Sequence, residues 1–246
     1  MNYALQWLRS LIFVGQMYLM MVIMGLLFTP WMIIDRRGAY AGIHTYCRWV
    51  RWTASWMVGL KSEIRGTVPS GELIIASKHQ SFFDIIMIVS VVPRPKFIMK
   101  HTLKWAPILG AYAARIGCVA VNRGKRGEAV RKMVADVASG RQRPGQLIIY
   151  PQGTRVAPGV ERPYKVGTGV LYTELNQTCV PAATNVGVFW PRTGIYRKPG
   201  LAVVEFLEPV EPGMETGAFM AHLEDVVETA SDKLMAEAGF DVKPKA

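Results

Sequence analysis

A histidine leaving a strand and an aspartate in the first turn of the following helix can meet across the helix N-terminus, and the stretch Ser77-Lys78-His79-Gln80-Ser81-Phe82-Phe83-Asp84 offers that arrangement. The carboxylate of Asp84 would accept a hydrogen bond from one imidazole nitrogen of His79, fix its tautomer and stabilise the imidazolium. The other nitrogen is then free to take a proton from an alcohol. No Ser or Cys nucleophile is needed if the alcohol oxygen itself attacks a carbonyl. On spacing alone the same residues also fit an N-capping Ser81 beside a solvated aspartate.

Two further features concern anions. No acidic residue lies between Asp84 and Glu128, whereas Arg94, Lys96, Lys100, Lys104, Arg115, Arg123, Lys125 and Arg126 are basic. Such a run makes either a phosphate or headgroup site or a solvated face that holds the protein on anionic lipid. The second feature is Tyr150-Pro151-Gln152-Gly153-Thr154-Arg155, at the end of another predicted strand. Gly153 lets the backbone approach a ligand, Thr154 supplies a hydroxyl, and the fork of Arg155 suits two phosphate oxygens. Taken alone, this stretch also reads as a plain turn with an exposed arginine.

The elements that must position these residues alternate. Short runs rich in Ile and Val at 73–76, 96–99, 118–121, 146–150, 180–188 and 201–206 read as buried strands. Helical patterns fall at 82–91, 105–115, 126–139, 166–175 and 216–238. This alternation predicts an α/β fold with a mixed, largely parallel sheet flanked by helices.

Ahead of it, Ser10 to Ile34 holds 25 consecutive residues without a charge. That is long enough to cross a hydrocarbon core of about 30 Å, and no cleavage signal follows it. Pro30 is expected to bend or end this helix. From 40 to 60 the chain is amphipathic, with His44, Arg48 and Arg51 on one face and Trp49, Trp52 and Trp56 on a neighbouring one. Trp beside Arg suits the headgroup region of a bilayer. The expectation is a two-helix membrane anchor over residues 1–62 and a catalytic α/β domain over 63–246. Packing of the pair on the protein core is the plainer alternative. Arg36, Arg37, Arg48, Arg51, Lys61 and Arg65 follow the first segment and place the rest of the chain on the cytoplasmic side.

Composition agrees. Lys and Arg outnumber Asp and Glu by 29 to 18, giving a formal charge of +11 and pointing to nucleic acid, an anionic membrane or a phosphorylated substrate. The three cysteines and four histidines have no metal-site spacing, so no disulfide framework and no zinc site are expected.

Together these blocks resemble the glycerophospholipid acyltransferase family, whose bacterial members include the 1-acylglycerol-3-phosphate acyltransferases. Its H-x4-D block is similar to His79 and Asp84, and its G-x-x-F-I-x-R block to the run from Gly117 to Arg123. The E-G-T-R block is similar to Gln152-Gly153-Thr154-Arg155, and a V-P dipeptide within a strand to Val180-Pro181; a family lysine corresponds to Lys100. Three positions depart from the pattern: Gln152 replaces the usual Glu, Ala120 a bulky aromatic, and Lys78 an Asn that often precedes the histidine.

The resemblance implies transfer of a fatty acyl group from acyl-CoA or acyl-ACP to the free sn-2 hydroxyl of 1-acyl-sn-glycerol-3-phosphate, at the inner membrane and facing the cytoplasm. It implies His79 and Asp84 as the catalytic pair. Lys100, Arg123 and Arg155 would hold the acceptor phosphate, with Gln152, Gly153 and Thr154 shaping the loop around it. No metal or organic cofactor is implied. Two rival readings are the same chemistry on lyso-ornithine lipid or glycerol 3-phosphate, and a non-catalytic protein binding anionic lipid. A nucleic-acid partner is not expected, because the basic residues follow a membrane segment and no recognised motif is present.

Overall fold

The computed structural model describes residues 2–121, 131, 134–135 and 144–242. Its centre is a seven-stranded sheet: β1 (Leu60–Arg65), β2 (Leu73–Ser77), β3 (Pro95–Lys100), β4 (Val119–Val121), β5 (Gln146–Ile149), β6 (Cys179–Thr184) and β7 (Gly200–Phe206). The spatial order is β1-β7-β6-β2-β5-β3-β4, and every pairing is parallel except β6 with β7. The sheet is therefore mixed and largely parallel, as the alternation of elements requires.

Parallel strands need cover on both faces. On one face Ile75, Ile148, Val180 and Val204 pack under α2 (Arg36–Met57) and α3 (Phe83–Val89). On the other, Ile74, Ala76, Leu147 and Ile149 meet α5 (Gly167–Leu175) and α6 (Thr216–Glu237) through Leu171, Tyr172, Phe219, Leu223 and Val227. Successive residues of β2 thus serve opposite layers, and all five are buried.

Strand β1 (LKSEIR) escapes a hydrophobicity reading because it is a polar edge strand, held by its register with β7. The predicted strand at 180–188 stops at Thr184 and becomes a short 3₁₀ turn at Val186–Val188. Asn185 explains the stop: its side chain accepts from Val203 N–H (2.7 Å) and donates to Leu201 C=O (3.3 Å), taking over the ladder. The predicted helix at 105–115 is likewise broken. A 3₁₀ turn covers His101–Trp105, and α4 runs only from Leu109 to Ile116. Between them Leu109 N–H bonds Pro107 C=O across Ile108, whose φ of 62° is unusual for a β-branched residue. The helix expected at 126–139 lies outside the described residues apart from 131, 134 and 135.

Helix α1 (Tyr3–Ile34) spans about 48 Å at 1.5 Å per residue. It passes Pro30 and ends four residues later, at Ile34. Arg115 supports this end, its guanidinium donating to the carbonyls of Met32 (2.9 Å) and Ile33 (3.1 Å), where a cation also favours the helix dipole. One face of α1 packs on α2 and the sheet domain. Gln6 donates to Val58 and Arg197 carbonyls (2.9 and 2.8 Å), Ser10 Oγ accepts from Arg197 N–H (2.9 Å), and Phe13 meets Trp190 edge-on. Gln16 joins the two helices by donating to Thr53 and accepting from Trp49. The opposite face exposes Leu19, Leu26, Leu27, Ile33 and Ile34, a long apolar stripe consistent with membrane association.

Ile108 is seated where α1 has no side chain. A Cβ at Gly25 would collide with Ile108 Cγ2. Gly25→Leu should therefore destabilise the protein by roughly 1–3 kcal/mol, as overpacked sites do. Chemical denaturation in detergent micelles measures this, and a companion Ile108→Gly change should recover part of the loss by opening the notch and relieving the positive φ.

Candidate active site

The C-terminal end of β2 delivers the first block. Lys78 N–H still bonds Ala182 C=O of β6 (3.0 Å), and the chain then turns through His79, Gln80 and Ser81 into α3. Asp84, in the first turn of α3, is fully buried. Its Oδ2 accepts from the backbone N–H groups of Gln80 and Ser81, both at 2.8 Å. His79 Nδ1 lies 3.0 Å from Asp84 Oδ1 and 3.2 Å from Oδ2. Since the carboxylate can only accept, Nδ1 is the donor and Nε2 keeps its lone pair. Ser81 also bonds ahead, its Oγ accepting from Phe83 N–H at 3.2 Å. The expected His79–Asp84 hydrogen bond is present, whereas Ser81 is not the N-cap of α3, a position held by Phe82, and Asp84 is buried rather than solvated.

Strand β5 runs beside β2 with Ala76 opposite Ile149, so the two blocks leave the sheet side by side. The ring of Tyr150 stacks on His79 with centroids 4.0 Å apart and planes 21° from parallel. His79 C=O accepts from Val156 N–H at 2.7 Å, closing the loop back on the histidine. The Tyr150 hydroxyl is buried without a partner among the described residues, and burial together with the Asp84 charge pushes its pKa well above the ordinary phenol value.

Gly153 adopts φ 70° and bonds Tyr150 C=O through its N–H (2.8 Å). It has no room for a Cβ because the ammonium end of Lys165 occupies that space. Lys165 is thus a cation at the third block that the sequence reading did not identify; it lies ten residues beyond Arg155, and the bond from its N–H to Pro151 C=O (3.0 Å) helps fold it back. Arg155 Nη1 donates to Arg192 C=O (2.9 Å), which leaves other guanidinium protons for a ligand. Thr154 stands half-buried between Gly153 and Arg155. Gln152 is 1 % exposed, donates weakly to Arg162 C=O (3.5 Å), and keeps a buried side-chain oxygen that has no partner among the described residues.

Lys100 ends β3, its backbone paired with Val121. Strand β3 adjoins β5 in parallel, which brings that strand end to the same edge of the sheet. Arg123 lies outside the described residues. Of the basic run after Asp84, Arg115 serves α1 and Lys104 lies over the ring of its neighbour Trp105, while Arg123, Lys125 and Arg126 lie outside the described residues.

The model of the Acyltransferase family matches residues 60–185, half of the chain and all the blocks just described. The chain belongs to the Acyltransferase family. Among curated relatives it is 24% identical over 197 residues to the 1-acyl-sn-glycerol-3-phosphate acyltransferase of Pseudomonas aeruginosa, covering 79% of this chain and 77% of that protein. It is 25% identical over 163 residues to 1-acyl-sn-glycerol-3-phosphate acyltransferase alpha of mouse, covering 64% and 57%. The fold matches the crystal structure of the 1-acyl-sn-glycerophosphate acyltransferase of Thermotoga maritima with a TM-score of 0.77 at 18% identity, over 93% of this chain and 98% of that one.

Lys78, one of the departures from the family pattern, has a specific use in this acyltransferase. Its ammonium pairs with Glu228 of α6, and Tyr164 donates its hydroxyl to the other Glu228 oxygen (3.0 Å). Burial and the Glu228 charge both raise the Tyr164 pKa, keeping it a donor. The residue before His79 is thereby tied to the helix layer behind the sheet. Breaking a buried pair from one side typically costs about 3–5 kcal/mol. Lys78→Met should approach that loss in urea unfolding, and Lys78→Met with Glu228→Met should regain most of it.

Proposed function

We propose that the acyltransferase moves a fatty acyl group from acyl-CoA or acyl-ACP to the sn-2 hydroxyl of 1-acyl-sn-glycerol-3-phosphate, giving phosphatidic acid. The observation that carries this reading is the His79–Asp84 pair, in which a buried carboxylate holds Nδ1 of a histidine whose side chain is 13 % exposed. Nε2 takes the hydroxyl proton as the oxygen attacks the thioester carbonyl. The tetrahedral oxyanion then collapses, the carbon–sulfur bond breaks, and the imidazolium returns the proton to the departing thiolate. Asp84 stays ionised throughout and stabilises the imidazolium.

A cysteine route has little support. Burial pushes the Cys179 thiol up to about 12 and the Cys118 thiol up to about 11, far from a thiolate at neutral pH. In this reading Lys100, Arg123 and Arg155 bind the acceptor phosphate as the family pattern implies. Lys165 joins them, and Gln152, Gly153 and Thr154 shape the loop.

The setting is the cytoplasmic face of the inner membrane. Residues 1–62 act as the anchor and 63–246 as the catalytic domain. The exposed stripe of α1 supports this, since both substrates carry long acyl chains that reach the site laterally from a bilayer.

The deciding assay offers labelled acyl-CoA and acyl-ACP to lysophosphatidic acid, lyso-ornithine lipid and glycerol 3-phosphate in mixed micelles. Lysophosphatidic acid is expected to be acylated. His79→Ala should abolish turnover, and Asp84→Asn should lower kcat by roughly 10²–10⁴-fold, because the amide no longer holds the reactive tautomer. Preference for either other acceptor would overturn the substrate assignment, and an active His79→Ala would overturn the mechanism.

Lys165→Gln should raise KM for lysophosphatidic acid about tenfold with little change in kcat, as loss of uniform binding does. Steady-state kinetics read this directly. An unchanged KM would remove Lys165 from the phosphate site.

A further inference from the structure

Away from His79, a surface cavity of about 420 Å³ opens between α2 and β1, lined by Arg48, Arg51, Trp52, Ser55, Lys61 and Ser62. Three cations line it, and among the described residues none of them is paired with a carboxylate. Arg51 is the informative one. Its guanidinium is half-buried and held in place by Ser62 Oγ (2.9 Å), Ser62 C=O (3.3 Å) and Ser90 Oγ (2.8 Å), all neutral. A partly desolvated charge held rigidly by neutral groups has lost water without gaining a counterion, which is unfavourable unless an anion arrives. Burial and the neighbouring Arg48 both act against its positive charge, in keeping with that deficit. A solvated arginine on an ordinary basic face would have neither the burial nor the three fixed partners.

A second, smaller cavity of about 180 Å³ lies in the groove between α1 and α2, lined by Arg9, Ile12, Trp56 and Met57. The two are neighbours. Trp52 borders the first and Trp56 the second, and these rings meet edge to face with centroids 5.7 Å apart. Both tryptophans are more than half exposed. A cationic cup, an aromatic ridge and an apolar groove thus follow one another across the helix pair. The cup has the volume of a small-ligand site, enough for a headgroup but not for a whole lipid.

We propose that this surface is a non-catalytic binding site for one anionic glycerophospholipid of the membrane. The phosphate sits among Arg48, Arg51 and Lys61, the glycerol backbone crosses the Trp52–Trp56 ridge, and an acyl chain lies along Ile12 and Met57. Arg51 keeps two N–H protons beyond its three bonds, and these together with the Ser62 hydroxyl hydrogen can donate to the oxygens of a phosphodiester. Tryptophan at the junction of polar and apolar parts is where its ring is favoured in a bilayer. Occupancy would hold the α1–α2 pair at a set depth and make attachment dependent on lipid charge. The inference rests on the membrane attachment proposed above and is independent of which acceptor is acylated.

The test uses the full-length protein in neutral maltoside micelles and compares retention of radiolabelled phosphatidylglycerol and phosphatidylcholine. Wild type should retain phosphatidylglycerol about tenfold or more over phosphatidylcholine, given the usual contribution of each cation near an anionic lipid. Arg48→Gln with Lys61→Gln should bring that preference to within about twofold, and Arg48→Lys with Lys61→Arg should keep most of it. The control removes two charges from the same helix pair outside the cavity, as Arg36→Gln with Arg37→Gln, and should leave the preference in place. Circular dichroism melting of each variant identifies any that fails to fold, and the conservative pair then decides.

An equal loss in the control pair would reduce the site to diffuse charge. Displacement of the lipid by millimolar inorganic phosphate would make it a site for free phosphate instead. A cavity variant that keeps its lipid preference but loses turnover with acyl-ACP alone would mark a protein dock. Each of these outcomes overturns the proposal. Extraction of the protein from membranes without detergent would instead remove the attachment reading beneath it, a separate failure.

Discussion

The candidate site depends on one buried carboxylate. Asp84 accepts from the imidazole of His79 and from two consecutive backbone amides, so a single side chain sets both the shape of the turn and the orientation of the ring. Three donors around one charge compensate its burial, which an isolated carboxylate could not sustain in that position. The arrangement also couples stability to chemistry. The interaction that keeps the turn closed is the one that orients the imidazole through Nδ1.

Everything else around the histidine follows from strand order. β2 is central, with β6 on one side and β5 on the other, so three chain segments far apart in sequence leave the sheet at one edge. Tyr150 comes off β5 directly onto the ring of His79, and the loop beyond it returns to the histidine carbonyl. Behind the sheet, α6 reaches the same turn through Glu228 and Lys78. A ligand site at the carboxyl ends of parallel strands is the usual outcome in such sheets, because that is where successive loops converge.

The N-terminal helices obey a different constraint. α1 carries polar side chains on an otherwise apolar surface, and three of them reach the body of the protein: Gln6 and Ser10 toward the segment around Arg197, Gln16 toward α2. Those bonds define which face is turned inward. The remaining apolar face is exposed, consistent with membrane association, and the cationic cup beside the tryptophans lies between α2 and β1.

Much of this was legible in the sequence. The uncharged stretch before Ile34, the alternation of short apolar runs with helical patterns, and the His79, Asp84 and Gln152–Arg155 blocks follow from local residue type and spacing. These features are encoded within a few residues of one another, and so could be read directly. Elements set by distant contacts could not. β1 is a strand because β7 pairs with it, β6 ends where Asn185 replaces its ladder, and α1 outlasts Pro30 because Arg115 reaches its last carbonyls. Lys165 over Gly153 and Glu228 under Lys78 had no sequence signal, because a salt bridge 150 residues long in the chain exists only after the sheet has closed. The sequence by itself offered the candidates for proton transfer and anion binding. Tertiary structure decided which of them share one low-dielectric site, since that depends on strand order, and strand order is a property of the whole sheet.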